Sequence, residues 1–368
     1  MRNRAWMKRL ASLLSIAWLP AAIWIVPVVL AQERVGTGQP EVLTAGDKTE
    51  IAEIFRLKAE IGDRIWPGFA KAAIPVILYN DEFEYLVGFA DPPAPWEKVL
   101  GDEIAGEPYH RRPRGKAQAF AVEVGGKWAG SISSLGRMNA KGPFKLPPDF
   151  HVALALHEMF HAFQAELAPE RFKRALKAYA AEGRYPFKDQ AFAAAWNAEG
   201  SALAKAIPKT DEAAALEAGR EFLDIRDKRR AAADLAPDLA DFERQLEWLE
   251  GLAKYVEIRF YELGSSLPQG PEGYRYAVPM LFIQSDYARL GTGLGYQSGD
   301  LRFYLSGMAQ ARLLDRLSPG WKEKALPGPS SLEDLLREAA QAGPAPERIS
   351  ISSAGVVTGM RQVPPEQT

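Results

Sequence analysis

One segment restricts the fold of this chain more than any other, an apolar stretch with helical spacing that also contains ionisable side chains. Residues 150–167 include no helix-breaking residue, and Asp149, which follows two prolines, is a favourable residue to begin a helix. Apolar side chains lie on nearly every side of this helix, so we predict that it is buried. Burying polar side chains in such a helix costs free energy unless they find hydrogen-bond or ionic partners in the core.

The segment His157-Glu158-Met159-Phe160-His161 supplies those polar groups and holds two of the four histidines in the chain. On a helix the two histidines lie one turn apart on one face, so both imidazoles can reach a single ion. Glu158 projects beside them and can take a proton from a metal-bound water. Catalytic zinc uses three protein ligands and keeps one position open for water. The sequence therefore predicts a zinc centre with His157 and His161 as ligands and Glu158 as the general base.

Two glutamates compete for the place of third ligand, since no further histidine follows the motif at a suitable spacing. Glu199 lies on an apolar helical stripe, where a carboxylate needs a buried partner. Glu250 shares its stripe with charged side chains as well as apolar ones. Either glutamate could instead pair with an arginine of the helical stretch between them, which contains Arg220, Arg226, Arg229 and Arg230. The glutamate that is not a ligand is expected to support those that are.

The string Glu250-Gly251-Leu252-Ala253 matches the Glu-Gly-x-Ala segment that carries a metal-binding glutamate in a number of peptidases. Together with the HExxH helix it resembles the gluzincin type of zinc metallopeptidase. The resemblance implies a zincin-like fold, zinc as the cofactor, Glu250 as the third ligand and hydrolysis of peptide bonds. It covers only these two segments, and Glu199 stays open as the alternative ligand.

Composition excludes several other kinds of function. The 368 residues are 47% hydrophobic and 25% charged, as in ordinary folded proteins, and a net charge of −2 gives no field for collecting nucleic acid. The chain has no cysteine, which excludes disulfides, thiolate ligands and a cysteine nucleophile. We therefore expect no nucleic-acid partner, while the gluzincin resemblance implies a peptide or protein substrate.

The first 31 residues have the pattern of a signal peptide. Arg2, Arg4, Lys8 and Arg9 precede an apolar run at 10–31 that ends in small residues. The run is nearly long enough to cross a bilayer, so a retained membrane anchor is the alternative. We predict a protein that is exported to the periplasm or secreted, with cleavage at the end of the run.

The rest of the chain predicts a helix-dominated α+β fold with a small sheet before the active-site helix. It divides into a linker at 32–47, a zincin-like metallopeptidase domain at 48–345 and a loosely ordered tail at 346–368. Strands are predicted at 75–79 and 82–89, loops at 91–115, a hairpin of 117–124 and 128–135 around Gly125-Gly126, and a mixed region at 268–300. Helices are predicted at 48–61, at 149–263 with breaks near the prolines, and at 301–317.

Four further features have weaker interpretations. Segment 128–135 occupies the place in the order of elements where zincins have an edge strand that pairs with extended substrate, and an ordinary strand is the alternative. Tyr304 is a candidate donor to the oxyanion, although packing is its simpler role. His110 is assigned to a basic surface loop, and His151 to the first turn of the active-site helix.

Three functions fit these observations. The first is zinc-dependent hydrolysis of peptide bonds, with Glu158 as the general base. The second is a metal-binding envelope protein without proteolytic activity. The third is a zinc hydrolase that acts on non-peptide amides.

Overall fold

The computed structural model describes most of the chain between residues 41 and 342. The described residues are 41–142, 145–208, 211–268, 270–271, 274, 276–297 and 299–342. The predicted signal peptide or anchor, the first part of the predicted linker and the predicted tail lie outside this part of the chain. Within it, no helix combines the length and the apolar character needed to cross a membrane.

Six strands form one mixed sheet in the order β3-β4-β2-β1-β6-β5. Their bounds are β1 Val76–Tyr79, β2 Phe83–Val87, β3 Glu97–Ile104, β4 Glu107–Pro113, β5 Phe120–Val124 and β6 Lys127–Ser133. The neighbours β1 and β6 are parallel, and the other pairs are antiparallel. Gly125 and Gly126, with φ of 55° and 81°, connect β5 to β6 as the two-glycine hairpin predicts.

Helices make up most of the described chain, so the prediction of a helix-dominated α+β fold with a small preceding sheet is confirmed. They are α1 Ala45–Ile65, α2 Leu135–Lys141, α3 Pro148–Leu167, α4 Pro169–Ala178, α5 Gln190–Ala206, α6 Glu212–Ala232, α7 Pro237–Leu246, α8 Leu252–Gly264, α9 Ala277–Gly293, α10 Leu301–Leu317, α11 Trp321–Ala325 and α12 Leu332–Ala342. Short 3-10 turns occur at Tyr179–Arg184 and Leu294–Tyr296, and one π-helical turn occurs at Glu247–Gly251.

Two local predictions are wrong. The segment 91–115, predicted as loops because of its proline and glycine content, contains β3 and β4. These strands form because β4 completes a ladder with β2, and Ala105 and Gly106, both with positive φ, allow the turn between them. The mixed region predicted at 268–300 is mostly the helix α9.

Helix α3, which carries the HExxH motif, begins two residues earlier than an N-cap at Asp149 predicts. Pro148 is its first residue, a position where the missing N–H of proline costs nothing, and Pro147 precedes it without a side-chain cap. Asp149 is therefore a first-turn residue and not the cap. Its carboxylate accepts hydrogen bonds from Phe150 N, at 2.9 Å, and from Tyr276 N, at 2.8 Å. It thereby joins the start of α9 to the start of α3.

Helix α3 lies in the middle of the molecule, between the sheet and the later helices. It packs against β6 and β5 on one side and against α8 and α1 on the others. Gly130 of β6 permits the closest approach, since a Cβ at that position would lie 2.6 Å from the backbone nitrogen of Met159. The predicted burial of this helix is confirmed, because nearly all its residues are shielded from solvent.

Candidate metal centre

Three side chains from two distant segments meet in the core. They are His157 and His161 of α3 and Glu250 of the π-helical turn, and one potential ligand atom from each lies within 4.8 Å of the others. The two histidine Nε2 atoms are 3.2 Å apart. The Oε2 atom of Glu250 is 3.3 Å from Nε2 of His161 and 3.9 Å from Nε2 of His157. All three side chains are buried.

This arrangement fits the donor set of a tetrahedral zinc ion. Two ligand atoms about 2.1 Å from an ion, at a tetrahedral angle, lie about 3.4 Å from each other. The three observed separations lie close to that value. In addition, the buried Oε2 atom of Glu250 forms no hydrogen bond of good geometry and has the two imidazole Nε2 atoms beside it at ion-pair distance. A buried carboxylate oxygen in that state is costly unless a cation compensates it.

Each histidine has an acceptor on the side that faces away from the cluster. Nδ1 of His161 lies 2.9 Å from Oε1 of Gln164, whose amide nitrogen donates to the carbonyl oxygens of Trp248 and Leu249. Nδ1 of His157 lies 3.3 Å from Oε2 of Glu257, at ion-pair distance but without the geometry of a hydrogen bond. These acceptors favour a proton on each Nδ1, which leaves both Nε2 atoms free to bind a metal.

Glu250 owes its position to an irregular turn and to two glycines. The π-helical turn Glu247–Gly251 is of a kind that is rare in helices and frequent at functional sites. A Cβ on Gly251 would lie 2.5 Å from the Cα atom of Gly307, so this glycine lets α10 approach the turn. The hydroxyl of Tyr179 donates to Oε1 of Glu250 at 2.8 Å, which leaves Oε2 for the histidines.

The structure does not bring the alternative ligand, Glu199, to the histidines. Its side chain is fully buried, and its Oε2 accepts a hydrogen bond from Nε of Arg226 at 2.9 Å. Its Oε1 accepts a second one from Nε of Arg229. The hypothesis that Glu199 is a zinc ligand is therefore corrected. The charge of its buried carboxylate is compensated by two arginines of α6, as in the alternative that the sequence left open.

This ion-pair network extends from Glu199 to the turn that carries the third ligand. Arg226 also binds both carboxylate oxygens of Glu247, at 2.6 and 2.9 Å, and Ser306 donates to Glu247 at 2.6 Å. Glu247 is the first residue of the π-helical turn, three positions before Glu250. Arg226 thus links Glu199 to the turn that carries Glu250.

The same network makes stability depend on pH. Burial alone would raise the pKa of Glu243, but Arg229 and Arg230 outweigh it and lower this pKa from 4.5 to about 2. The folded state therefore binds fewer protons than the unfolded state between these two values. We expect the free energy of unfolding to be fully supported above pH 4.5 and to fall by about 3 kcal/mol from this group as the pH drops toward 2.

Chemical denaturation at pH values from 6 to 2 measures that dependence. In the variant Glu243→Gln the group cannot titrate, so its unfolding free energy should vary less across the same interval. Equal pH dependence in the two proteins would contradict the assignment. A carboxyl resonance of Glu243 that titrates near pH 4.5 would contradict it as well.

Glu158 lies next to the cluster with its side chain almost fully buried, at 6% exposure. Burial is the main reason that its pKa is raised to about 8, and the charges of Glu250 and Glu257 add to the increase, while His157 opposes it. A carboxyl group with a raised pKa can hold and release a proton near neutral pH. With this pKa Glu158 is mostly protonated at neutral pH, and the charge of a cation held by the cluster would lower the pKa toward the range of a general base.

A cavity of about 260 Å³ opens onto Glu158 and His157. Most of its wall is apolar, and the side chains that form this part are Tyr79, Ile132, Met138, Leu146 and Leu154. Arg137 and Lys141 of α2 lie on the same wall. A small number of polar groups in a mainly apolar concave site is typical of ligand-binding pockets.

The strand predicted to lie at the sheet edge does not lie there. Strand β6 is paired on both sides, with β1 and with β5, so it has no free edge for a substrate. The edge strand on this side is β5, and the local sequence pattern does not reveal its position in the sheet. Phe120, its first residue, has its ring 4.6 Å from the ring of His161. Among the described strands, the unpaired edge of β5 therefore begins beside His161.

The structure also revises the interpretation of three other side chains. His110 lies buried in β4, not in a surface loop, and burial lowers its pKa. His151 is in the first turn of α3 as predicted, but it is fully buried between Glu50 and the carbonyl oxygen of Ser133. The ring of Tyr304 stacks on His157 at 5.8 Å, so the expected packing role is present.

Sequence reasoning assigned no role to Tyr179, Gln164 or Glu257, which contact the cluster residues. Gln164 follows His161 by three positions on one helix, so the motif itself placed it near the ligands. Glu257 follows Glu250 by seven positions and faces the same side of its helix. Tyr179 gave no signal, because it reaches Glu250 from a short 3-10 turn at the end of α4.

Comparisons with protein-family models, with curated proteins and with solved structures found no match to this chain.

Proposed function

We propose that this protein is a zinc-dependent peptidase of the gluzincin type, with His157, His161 and Glu250 as the zinc ligands. The observation that carries the proposal is the convergence of three buried ligand atoms beside the catalytic candidate Glu158 and a cavity. A cluster that served only to store or carry a metal would not need an ionisable carboxyl group at the wall of an adjoining cavity. The geometry therefore favours a hydrolase over a metal-binding protein without turnover.

Zinc in this position would polarise the scissile carbonyl and make its water easier to deprotonate. Glu158 accepts the proton of the attacking water and passes it to the amine that leaves. Gln164 and Glu257 hold the two imidazoles in the orientation that the ligands require. Tyr179 fixes Glu250.

The surroundings of the cluster suit an extended peptide. The free edge of β5 can form backbone hydrogen bonds with a substrate strand, and the cavity beside Glu158 can take an apolar side chain. The N-terminal pattern supports export of the protein, so the proposed substrates are peptides or proteins outside the cytoplasm.

Metal analysis and broad substrate profiling test this function together. We expect purified protein to contain about one zinc ion per chain and to cleave members of a mixed peptide library, with products identified by mass spectrometry. A parallel panel of non-peptide amides separates a peptidase from a hydrolase of other amides. Stoichiometric zinc without turnover of either panel would support the metal-binding alternative, and protein without stoichiometric metal would end the proposal.

A further inference from the structure

We propose that a basic pocket between α8, α10 and α11 binds a phosphate-bearing anion. Its wall consists of Tyr255, Arg259, Arg312, Asp315, Arg316 and Lys322, and its volume is about 330 Å³. Four of these six side chains are cations. The pocket shares no residue with the metal cluster or with the cavity beside Glu158.

Positive charge in this basic pocket exceeds the negative charge that pairs with it. Glu262 lies behind the wall and pairs with both Arg259, at 2.5 Å, and Arg312, at 2.9 Å. Asp315 pairs with Lys322 at 3.3 Å. Four cations and two carboxylates leave a net charge of +2, which a dianion would neutralise. The exposed side chain of Glu323 is a further, weaker neighbour of Lys322.

Several donors of the pocket are held in place without being saturated. Arg316 is fixed by backbone carbonyl oxygens, those of Ala206 at 3.0 Å and of Ile207, and not by a carboxylate. The Nε atom of Arg259 has no hydrogen-bond partner but is shielded from solvent, so a ligand would meet this guanidinium through its terminal nitrogens. The ammonium group of Lys322 lies 5.2 Å from the ring centre of Tyr255, which limits its freedom. A ligand would therefore meet donors that are already ordered, at a low entropic cost.

The carboxylate within the pocket is already engaged by other donors. Asp315 accepts hydrogen bonds from the hydroxyl of Tyr255, at 2.8 and 3.0 Å, and from Nε1 of Trp321, at 3.1 Å. Its charge is thus shared between those donors and Lys322. Burial lowers the pKa of Lys322, and nearby Arg259 adds to this effect against the opposing charge of Asp315.

The donors and the size of the pocket favour a phosphoryl group. The three guanidinium groups each use one or two nitrogens in the contacts above and keep further N–H donors for phosphate oxygens, and the lysine adds a point charge. A volume of about 330 Å³ is roughly that of ten water molecules in the liquid, which is more than one phosphoryl group occupies. A pyrophosphate, or a phosphoryl group with part of the molecule that carries it, fits this space.

The basic pocket lies on the side of α8 that faces away from the cluster. Tyr255 and Arg259 are one helical turn apart on α8, whereas Glu257, between them, contacts His157 on the other side. Anion binding can therefore be measured without altering a cluster residue. The inference does not depend on the proposed peptidase function.

Isothermal titration of the purified protein with inorganic pyrophosphate at low ionic strength tests the inference. We expect saturable binding at one site that weakens as salt is raised, because the pocket is partly exposed. The variant Lys322→Gln should weaken binding by about tenfold, since it removes one charge-assisted contact. Arg259→Gln should do the same. The matched control is Lys324→Gln, which removes an exposed lysine of the same helix that pairs with Glu338.

Co-sedimentation with vesicles of phosphatidylglycerol, compared with neutral phosphatidylcholine, identifies the source of the anion. Vesicle binding that Lys322→Gln removes would assign the site to a lipid headgroup, and pyrophosphate binding without vesicle binding would assign it to a soluble phosphate compound. Both results support the inference. Absence of pyrophosphate binding would overturn the inference. An equal loss of pyrophosphate affinity in the Lys322→Gln and Lys324→Gln variants would also overturn it. Zinc content should be unchanged in all three variants.

Discussion

The variant Glu158→Gln is expected to keep its zinc and to lose peptide hydrolysis by a factor of about 10² to 10⁴. Glutamine has nearly the same shape as glutamate, so the packing around α3 should be preserved. It cannot accept the proton of the attacking water, and that transfer is the role proposed for Glu158. Initial rates on a cleaved library peptide and zinc content per chain are the two measurements.

The control for this variant is Glu170→Gln, a change of the same kind on the next helix. Glu170 is strongly exposed and pairs only with the exposed Lys173. Its replacement should alter neither rate nor zinc content. Full activity in Glu158→Gln, with zinc bound, would refute the general-base role. Loss of zinc in the same variant would show that Glu158 supports the metal and not only the proton transfer.

A second pair of variants distinguishes Glu250 from Glu199 as the third zinc ligand. Glu250→Gln is expected to weaken zinc binding by more than about 100-fold, since loss of a direct ligand should exceed the effect of removing a supporting partner. Glu199→Gln should retain its zinc. It should instead lower the free energy of unfolding by about 3 to 5 kcal/mol, because Arg226 and Arg229 lose part of their buried counter-charge.

Zinc affinity in a competing chelator and unfolding in denaturant, each measured for both variants, distinguish the two roles. Chelation should also lower the melting temperature of the unaltered protein, because a metal that binds only the folded state stabilises it. Glu250→Gln should be much less sensitive to chelator. If Glu199→Gln loses zinc at normal stability while Glu250→Gln keeps it, the assignment of the ligands is reversed.

The arginines of α6 connect the buried ion-pair network to Glu250, the proposed third zinc ligand. Arg226 binds Glu199 and Glu247 at the same time, and Glu247 begins the turn that presents Glu250. A buried network of this kind gives little net stability compared with apolar packing, but it fixes geometry when every member is paired. We therefore expect acid to weaken the region that positions Glu250, the proposed third ligand, together with the rest of the network.

Most errors of sequence reasoning concern partners that are distant along the chain. Strands β3 and β4 were hidden by proline and glycine, because the ladder with β2 and not local propensity stabilises them. The helix α9 lies in the region predicted as mixed. The backbone N–H of Tyr276, the residue before its first turn, donates a hydrogen bond to Asp149 of α3. The place of β5 at the sheet edge follows from the parallel pairing of β1 with β6, which no local pattern encodes.

The sequence by itself determined the features that depend on short spacing. The interval of four between His157 and His161 places both imidazoles on one face of a helix, the apolar residues around them require burial, and Gly125-Gly126 specifies a hairpin. Only the tertiary structure decided which glutamate completes the cluster. Glu199 and Glu250 both need a buried counter-charge. The packing of α6 places its arginines against Glu199, whereas Glu250 lies against the histidines. Local pattern shows that a buried charge needs a partner, but the partner comes from chain segments that meet only when the protein folds.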